Sequence, residues 1–303
     1  DERPPTAAAF ASALRAHSEG TASLLRRALT LFTEHLPVFA RLVLLVYTPV
    51  VIITLVHVTL SVLTMRHVFV KPWSSLIDAL AQILTLLVTM LSGAVITGVT
   101  TWLVTQMLAV PLRPVELRPA FVALRKRLRP FLTMTMLTSF ISIVGFGLCF
   151  LPGLYLLFNF VLVSSILMME DYRGRAALRR SRALYKRSRR TVIAVICIQM
   201  LVPLLVSSVA ALLIMAVVTA LRGGQLKGAL EIVGIIQKLV ALPIMFIVAP
   251  LVAIVTALLY WKTRMAGGET LRQAFIQFAE EETPASKWQQ RMRTRLHLTR
   301  TTR

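Results

Sequence analysis

The chain has 303 residues, of which 56% are hydrophobic, and its formal net charge at pH 7 is +21. Its mean hydropathy is +0.74, which excludes an ordinary soluble domain because several apolar runs reach 18 residues or more. A bilayer core of about 30 Å takes about 20 helical residues. These runs are too long and too uniformly apolar for barrel strands. The sequence therefore predicts an all-α polytopic membrane protein.

The first segment, residues 1–17, predicts a short helix after a Pro-Pro turn. Its Arg3-Pro4 pair and its Ala7, Phe10 and Leu14 pattern resemble the last helix of the catalytic domain in bacterial eukaryotic-like serine/threonine protein kinases. The chain contains no Gly-rich loop with a following lysine, no His-Arg-Asp loop and no Asp-Phe-Gly motif. The resemblance therefore implies a longer parent with a cytosolic kinase domain, which would bind ATP and Mg. It implies no catalysis by this chain, in which residues 1–17 are the remnant of that domain's last helix.

Residues 18–40 predict an interfacial elbow helix that leads into the membrane, with Arg26 and Arg27 away from its apolar face. A soluble linker helix is the alternative. The apolar face consists of Leu24, Leu25, Ala28, Leu31, Phe32 and Leu36.

A membrane domain of residues 41–262 follows, with six predicted transmembrane helices. The second span would measure about 50 Å as one helix, so it must tilt, protrude or break. Gly93 and Gly98 favour close packing there, and Pro152-Gly153 predicts the turn between spans three and four. The spans are placed at 41–63, 78–110, 131–149, 152–169, 191–221 and 232–261.

Four polar residues within these spans are candidates for a specific role. Asn159 and Gln199 are expected to form hydrogen bonds between helices, and a substrate contact is the alternative for Asn159. Lys238 lies near the start of span six and is expected to extend toward the membrane surface. For His57 we expect a hydrogen-bonded packing histidine, and a haem or pigment ligand is the alternative.

Two basic segments connect the spans, with six Lys/Arg in residues 111–130 and nine in residues 170–190. Each predicts a basic amphipathic interfacial helix on an anionic membrane surface. In 170–190 the narrow apolar stripe consists of Ala177, Leu178 and Leu184-Tyr185. A nucleic-acid patch is disfavoured because no aromatic or glycine-loop readout accompanies the charge. The predicted contacts to anionic lipid headgroups are Arg125, Lys126, Arg127, Arg179, Arg180, Lys186, Arg187, Arg189 and Arg190.

The distribution of positive charge predicts the topology. The N-terminal region through Arg41, the two basic segments and the C-terminal region from Lys262 hold 29 of the 34 Lys/Arg residues. With six spans, all four regions fall on one side of the membrane. We therefore expect a bacterial cytoplasmic (inner) membrane protein with both termini in the cytoplasm and a cytosolic tail at 263–303.

The body of the chain, residues 22–205, also resembles the membrane domain associated with glycerophosphoryl diester phosphodiesterases and related six-span bacterial proteins. The matching features are the elbow helix, the Leu-Pro-Gly-Leu-Tyr-Leu turn at Leu151–Leu156, and Glu170 followed by Ala176–Leu184. The resemblance implies a similar membrane architecture. It implies no lipid-ester chemistry, because the chain contains no phosphodiesterase domain.

These observations predict a membrane-anchoring and signal-relaying C-terminal region of a transmembrane serine/threonine kinase. The alternative is a lipid-handling or transport-associated membrane protein, or an accessory subunit of a larger membrane complex. The expected partners are anionic lipid headgroups, with a homodimer or a larger complex left open, and no nucleic acid. No catalytic, cofactor or metal site is predicted, since the five histidines and the two cysteines, Cys149 and Cys197, have no suitable spacing.

Overall fold

The computed structural model describes residues 20–66, 73–109, 115–170, 172, 174–221 and 229–267. Within these ranges the chain forms ten α-helices and no strand. The predicted helix at residues 1–17 and nearly all of the tail at 263–303 lie outside the described residues. The helices are α1 (Thr21–Glu34), α2 (Leu36–Met65), α3 (Trp73–Ala109), α4 (Leu117–Lys126), α5 (Leu128–Leu148), α6 (Phe150–Phe160), α7 (Val163–Met169), α8 (Arg175–Arg187), α9 (Arg189–Leu221) and α10 (Ala229–Met265).

Within the part of the chain that the structure describes, six segments are long and apolar enough to cross a membrane, which confirms the predicted all-α polytopic class. They correspond to α2, α3, α5, α6 with α7, α9 and α10. Because successive spans run in opposite directions, α1, α4, α8 and residues 260–267 meet at one end of the bundle. We call this the basic end, and the other end, where α2, α5 and α9 finish, the far end.

Helix α10 is the centre of the bundle. It packs against α1, α2, α3, α7, α8 and α9, and every residue from 253 to 264 is buried. A helix that is buried on all sides must be surrounded by other helices. By contrast, α9 exposes Leu204, Leu212 and Leu213 on the bundle surface, as expected for a peripheral span that faces lipid.

Helix α3 is continuous over 37 residues, about 55 Å, so the long second span does not break. Close packing occurs at Gly98, where an added Cβ atom would lie 3.0 Å from the Phe131 ring. At Gly93 the nearest atom to an added Cβ is the Tyr47 hydroxyl, at 4.0 Å. Of the two glycines, Gly93 and Gly98, it is therefore Gly98 at which another helix approaches closely.

The predicted turn at Pro152-Gly153 is wrong, because the reversal occurs at Cys149. That residue is extended, with φ −168° and ψ 149°, and α6 begins at the next residue. Pro152 lies in the first turn of α6, where its missing N–H would have had no helical partner. Gly153 allows α5 to approach, since an added Cβ atom would lie 2.8 Å from the Phe146 Cα.

The fourth span, predicted as one helix at 152–169, is divided into α6 and α7 by a turn at Val161-Leu162. In a continuous helix the carbonyl of Asn159 would accept the N–H of Val163. Here that carbonyl accepts a hydrogen bond from the Ser181 hydroxyl of α8. The break is therefore the place where the basic helix α8 docks onto the bundle.

Candidate functional site at the basic end

Glu170 lies directly after α7 and is buried, with 8% of its surface exposed. Its Oε2 accepts a hydrogen bond from Arg180 Nε at 2.9 Å, and its Oε1 accepts one from the Tyr260 hydroxyl at 2.8 Å. Arg264 Nε lies 3.8 Å from the same Oε1. One carboxylate thus joins the end of α7 to α8 and α10.

Arg264 is the second buried charge of this network. Its Nη1 donates to the Tyr260 hydroxyl at 3.0 Å, and its guanidinium lies 5.6 Å and 5.2 Å from the ring centroids of Tyr260 and Trp261. Tyr260 and Arg264 are four residues apart, so one face of α10 carries both. The carboxylate and the two aromatic faces together compensate a cation that is only 7% exposed.

Helix α3 joins the network through hydroxyl groups. The Trp261 Nε1–H donates to Thr105 Oγ1 at 2.7 Å, and Thr101 Oγ1 lies 2.8 Å from Ser165 Oγ of α7. The link between α4 and α5 joins it as well, because Arg127 Nη1 donates to the carbonyl oxygen of Met168 at 3.2 Å. The ends of α3, α7 and α10 at the basic end are therefore held together with α8 by directional contacts.

The geometry at Gly174 completes the attachment of α8. This residue precedes α8 and has φ +57° and ψ −133°, a backbone conformation that side-chain-bearing residues rarely adopt. It lets the chain reverse within four residues of Glu170 and present α8 to the bundle. Among the described residues, no group of three or more His, Cys, Asp or Glu could hold a metal ion.

The predicted lipid-contacting residues divide into two groups. Arg180 and Arg127 point into the network described above, and Arg187 packs against the Gly267 backbone. Of the predicted stripe, Ala177, Leu184 and Tyr185 are buried and Leu178 is partly buried, and this face places the other cations of α8 outward. The exposed members of the set are Arg125, Lys126, Arg179, Lys186, Arg189 and Arg190.

The two predicted intramembrane amides behave differently. Gln199 of α9 donates to the Val252 carbonyl at 3.1 Å and to Thr256 Oγ1 at 3.3 Å, both on α10, so the expected bond between helices is confirmed. Asn159 instead donates from Nδ2 to the Tyr155 carbonyl of its own helix. Its Oδ1 is buried and, among the described residues, accepts no hydrogen bond.

A second polar cluster lies at the far end. The His57 ring is buried, and its Nε2 lies 3.0 Å from Asp78 Oδ1 and 3.0 Å from Lys238 Nζ. The expected hydrogen-bonded histidine is therefore confirmed. The Lys238 amine contacts His57 and Ser61 of α2, and its extension toward the membrane surface stays a prediction. Sequence reasoning did not pair these residues, and it did not identify Asp78, Arg264 or Thr105. The signal available for the two charged residues was an ionisable group inside an apolar helix.

Comparison with protein-family models, with curated proteins and with solved structures found no match to this chain.

Proposed function

We propose that this chain is the membrane-anchoring and signal-relaying C-terminal region of a transmembrane serine/threonine protein kinase of the bacterial cytoplasmic membrane. In this proposal both termini are cytoplasmic, and the catalytic domain ends at residues 1–17, where the sequence resembles the last helix of such kinases. ATP and Mg would bind in that domain. The six spans hold it at the membrane and connect it to the far end of the bundle.

The observation that carries this proposal is the packing of α1 against α10 at the basic end. Leu24 and Ala28 of α1 are buried, at 2% and 0% exposure. A short helix of this kind needs a partner surface to be stable, and α10 is that surface. A domain joined to the N-terminal end of α1 would thus be linked, through α1, to a helix that reaches the far end.

The charge of the basic end supports a cytoplasmic location and a role for anionic lipid. Exposed arginines and lysines of α4 and α8 surround the buried network, while the described residues of the far end carry Arg66 and the partly buried Lys238. Each cation near an anionic membrane surface contributes about 1 kcal/mol of attraction. The exposed basic residues would therefore hold both helices, and the domain beside them, against the lipid headgroups.

The kinase assignment is tested with the full-length product of the coding region. We expect the segment upstream of Asp1 to contain the Gly-rich loop, the catalytic His-Arg-Asp and the Asp-Phe-Gly motifs. The purified protein should transfer phosphate from ATP in the presence of Mg, and a variant lacking the catalytic aspartate should not. Deletion of residues 20–267 should move the activity from the membrane fraction to the soluble fraction. An upstream segment without these motifs would contradict the proposal.

The lipid contact is tested separately, with the chain in nanodiscs. Replacement of Arg179, Lys186, Arg189 and Arg190 by Gln should reduce the retention of phosphatidylglycerol measured by native mass spectrometry. The matched control replaces the three arginines by Lys, which keeps the charge, and it should retain the lipid. Equal retention in both variants would contradict a headgroup contact on α8.

One observation favours the alternative function of a lipid-handling or transport-associated membrane protein. The Asn159 Oδ1 is a buried acceptor that could receive a hydrogen bond from a lipid or another substrate. In that case a lipid should copurify with the protein, and Asn159→Leu should release it while Gln199→Leu should not. A protein that purifies without a bound lipid would contradict this function.

A further inference from the structure

His57 lies where three spans meet near the far end. Its ring is 1% exposed, and its Nε2 has two neighbours at the same distance of 3.0 Å: Asp78 Oδ1 from α3 and Lys238 Nζ from α10. On the other side of the ring, Nδ1 lies 3.5 Å from Thr85 Oγ1 of α3. A single nitrogen atom is thus shared between an acid and a base from different helices.

One nitrogen cannot satisfy both neighbours in one protonation state. If Nε2 carries a hydrogen, it donates to the Asp78 carboxylate, and the Lys238 ammonium, which has only donors, loses its acceptor. If Nε2 carries a lone pair, it accepts from Lys238 and has nothing to donate to Asp78. The protonation of the ring therefore selects whether α2 is bonded to α3 or to α10.

Asp78 connects the ring to the surface of the bundle near the far end. Asp78 is 54% exposed and lies five residues after the start of α3, about 8 Å along the helix. Ser61 lies within 3.4 Å of Asp78 Oδ1 and 3.5 Å of Lys238 Nζ, so it lines the same path. Among the described residues, Asp78 and Lys238 are the titratable groups that face the ring from α3 and α10.

We propose that His57 is a proton-binding site open to the far end of the bundle, and that proton binding moves its hydrogen bond from Lys238 of α10 to Asp78 of α3. The proton comes from water and passes through the Asp78 carboxylate to Nε2, leaving an imidazolium that donates to Asp78 and to Thr85. The Lys238 ammonium is then repelled by the positively charged ring and keeps its contact with Ser61 Oγ. Histidine is suited to this role because it changes charge in the physiological pH range.

This site does not depend on the kinase assignment, because it is formed by the spans alone. If the chain is the anchor of a kinase, the site makes the position of α10 sensitive to acidity outside the cytoplasm. If the kinase assignment fails, the proton site can still be measured on this chain. The two proposals therefore fail in different experiments.

The test is a titration of the ring by nitrogen NMR, with the ¹⁵N-histidine-labelled chain in nanodiscs. The chain has five histidines, and His57→Gln identifies the resonance of interest. We expect one ring in the wild-type protein to gain a proton as the sample is acidified. Asp78→Asn removes a negative neighbour and should lower the titration midpoint by about one pH unit. Lys238→Met removes a positive neighbour and should raise it by about the same amount.

The neutral ring offers a second measurement in the same samples. In Asp78→Asn it should carry its hydrogen on Nδ1, because Nε2 accepts from Lys238; in Lys238→Met it should carry it on Nε2, which donates to Asp78. Lys238→Arg keeps the charge and should leave the midpoint close to that of the wild type, which provides the matched control. The proposal would be overturned if the midpoints of Asp78→Asn and Lys238→Met did not move or moved in the same direction. A ring that stays neutral throughout would also overturn it.

Discussion

A buried carboxylate at the boundary of a membrane domain is stable only if each of its oxygens is satisfied, and Glu170 meets this requirement. Oε2 accepts from Arg180, and Oε1 accepts from Tyr260 with Arg264 nearby. These partners come from two other helices, so the ionised side chain fixes their relative position. The energetic consequence is asymmetric: the complete set of charges contributes modestly, but removal of one member leaves an uncompensated buried charge.

Glu170→Ala should therefore destabilise the protein by about 3–5 kcal/mol, because the buried Arg264 loses its anionic neighbour. Glu170→Gln should cost less, since the amide oxygen can still accept one hydrogen bond. The measurement is unfolding in mixed micelles of detergent and SDS, followed by tryptophan fluorescence. Glu116→Gln, at an exposed position before α4, is the control and should be close to neutral. Equal stability of Glu170→Ala and the control would contradict the inference that Glu170 fixes the relative position of α8 and α10.

Two contacts between neighbouring helices decide how the ends of the bundle are built. At the far end α5 and α6 cross closely enough that Gly145 and Gly153 face each other: an added Cβ atom on Gly145 would lie 3.1 Å from the Gly153 Cα. At the basic end α1 lies against α10 through Leu24 and Ala28. The first contact depends on the absence of side chains, and the second depends on their burial.

Gly153→Ala should separate α5 from α6, because the new methyl group would lie 2.6 Å from the Phe146 ring and 2.8 Å from its Cα. Such overpacking costs about 1–3 kcal/mol. Gly147→Ala is the matched control, since nothing lies within 4 Å of a Cβ atom there. Thermal unfolding in detergent measures both variants. The close crossing would be contradicted if the two substitutions had the same effect.

Leu24→Ala should loosen the attachment of α1, because it removes a side chain that is 2% exposed and leaves a cavity against the bundle. The expected loss is about 2–5 kcal/mol for a fully buried leucine. Leu29→Ala on the same helix is the control, since Leu29 is 52% exposed. Limited proteolysis in α1 should be faster for the first variant alone. Similar cleavage rates in both would show that α1 is not held by this face.

At the scale of the whole molecule, the two native cysteines report on the topology. Cys149 is exposed at the turn between α5 and α6, at the far end, whereas Cys197 is exposed on α9, eight residues after its start and about 12 Å along the helix. The first should face water outside the cytoplasm, and the second should face lipid.

In right-side-out spheroplasts, a membrane-impermeant maleimide should therefore label the wild-type protein at Cys149, and Cys149→Ser should abolish the labelling. Cys197→Ser should leave it unchanged, because a maleimide that cannot enter the membrane does not reach a thiol that faces lipid. Mass spectrometry of tryptic peptides measures the modified site. Labelling that appears only after permeabilisation would place the far end in the cytoplasm and reverse the proposed orientation.

The helical membrane architecture followed from local properties of the chain. Apolar runs of sufficient length have one stable form in lipid, so six spans could be placed within a few residues of their observed limits. The basic stripes of α4 and α8 were likewise visible from helical periodicity. The reversal between α5 and α6 was placed wrongly, because the Pro152-Gly153 pair has two possible structures. It is compatible with a chain reversal, and also with the first turn of a helix that packs closely against its neighbour, as α6 packs against α5.

Local sequence patterns are enough to give the number of spans, the two basic helices and the concentration of positive charge in four segments, because hydropathy and helical period are properties of neighbouring residues. They do not give which cations are exposed and which are held inside, because that depends on how the helices pack. Arg180 and Arg179 are adjacent in the chain, yet one binds Glu170 and the other is exposed. His57 and Lys238 are 181 residues apart and share a hydrogen bond because α2 and α10 pack together. Such pairings depend on the packing of the helices, which local patterns do not encode.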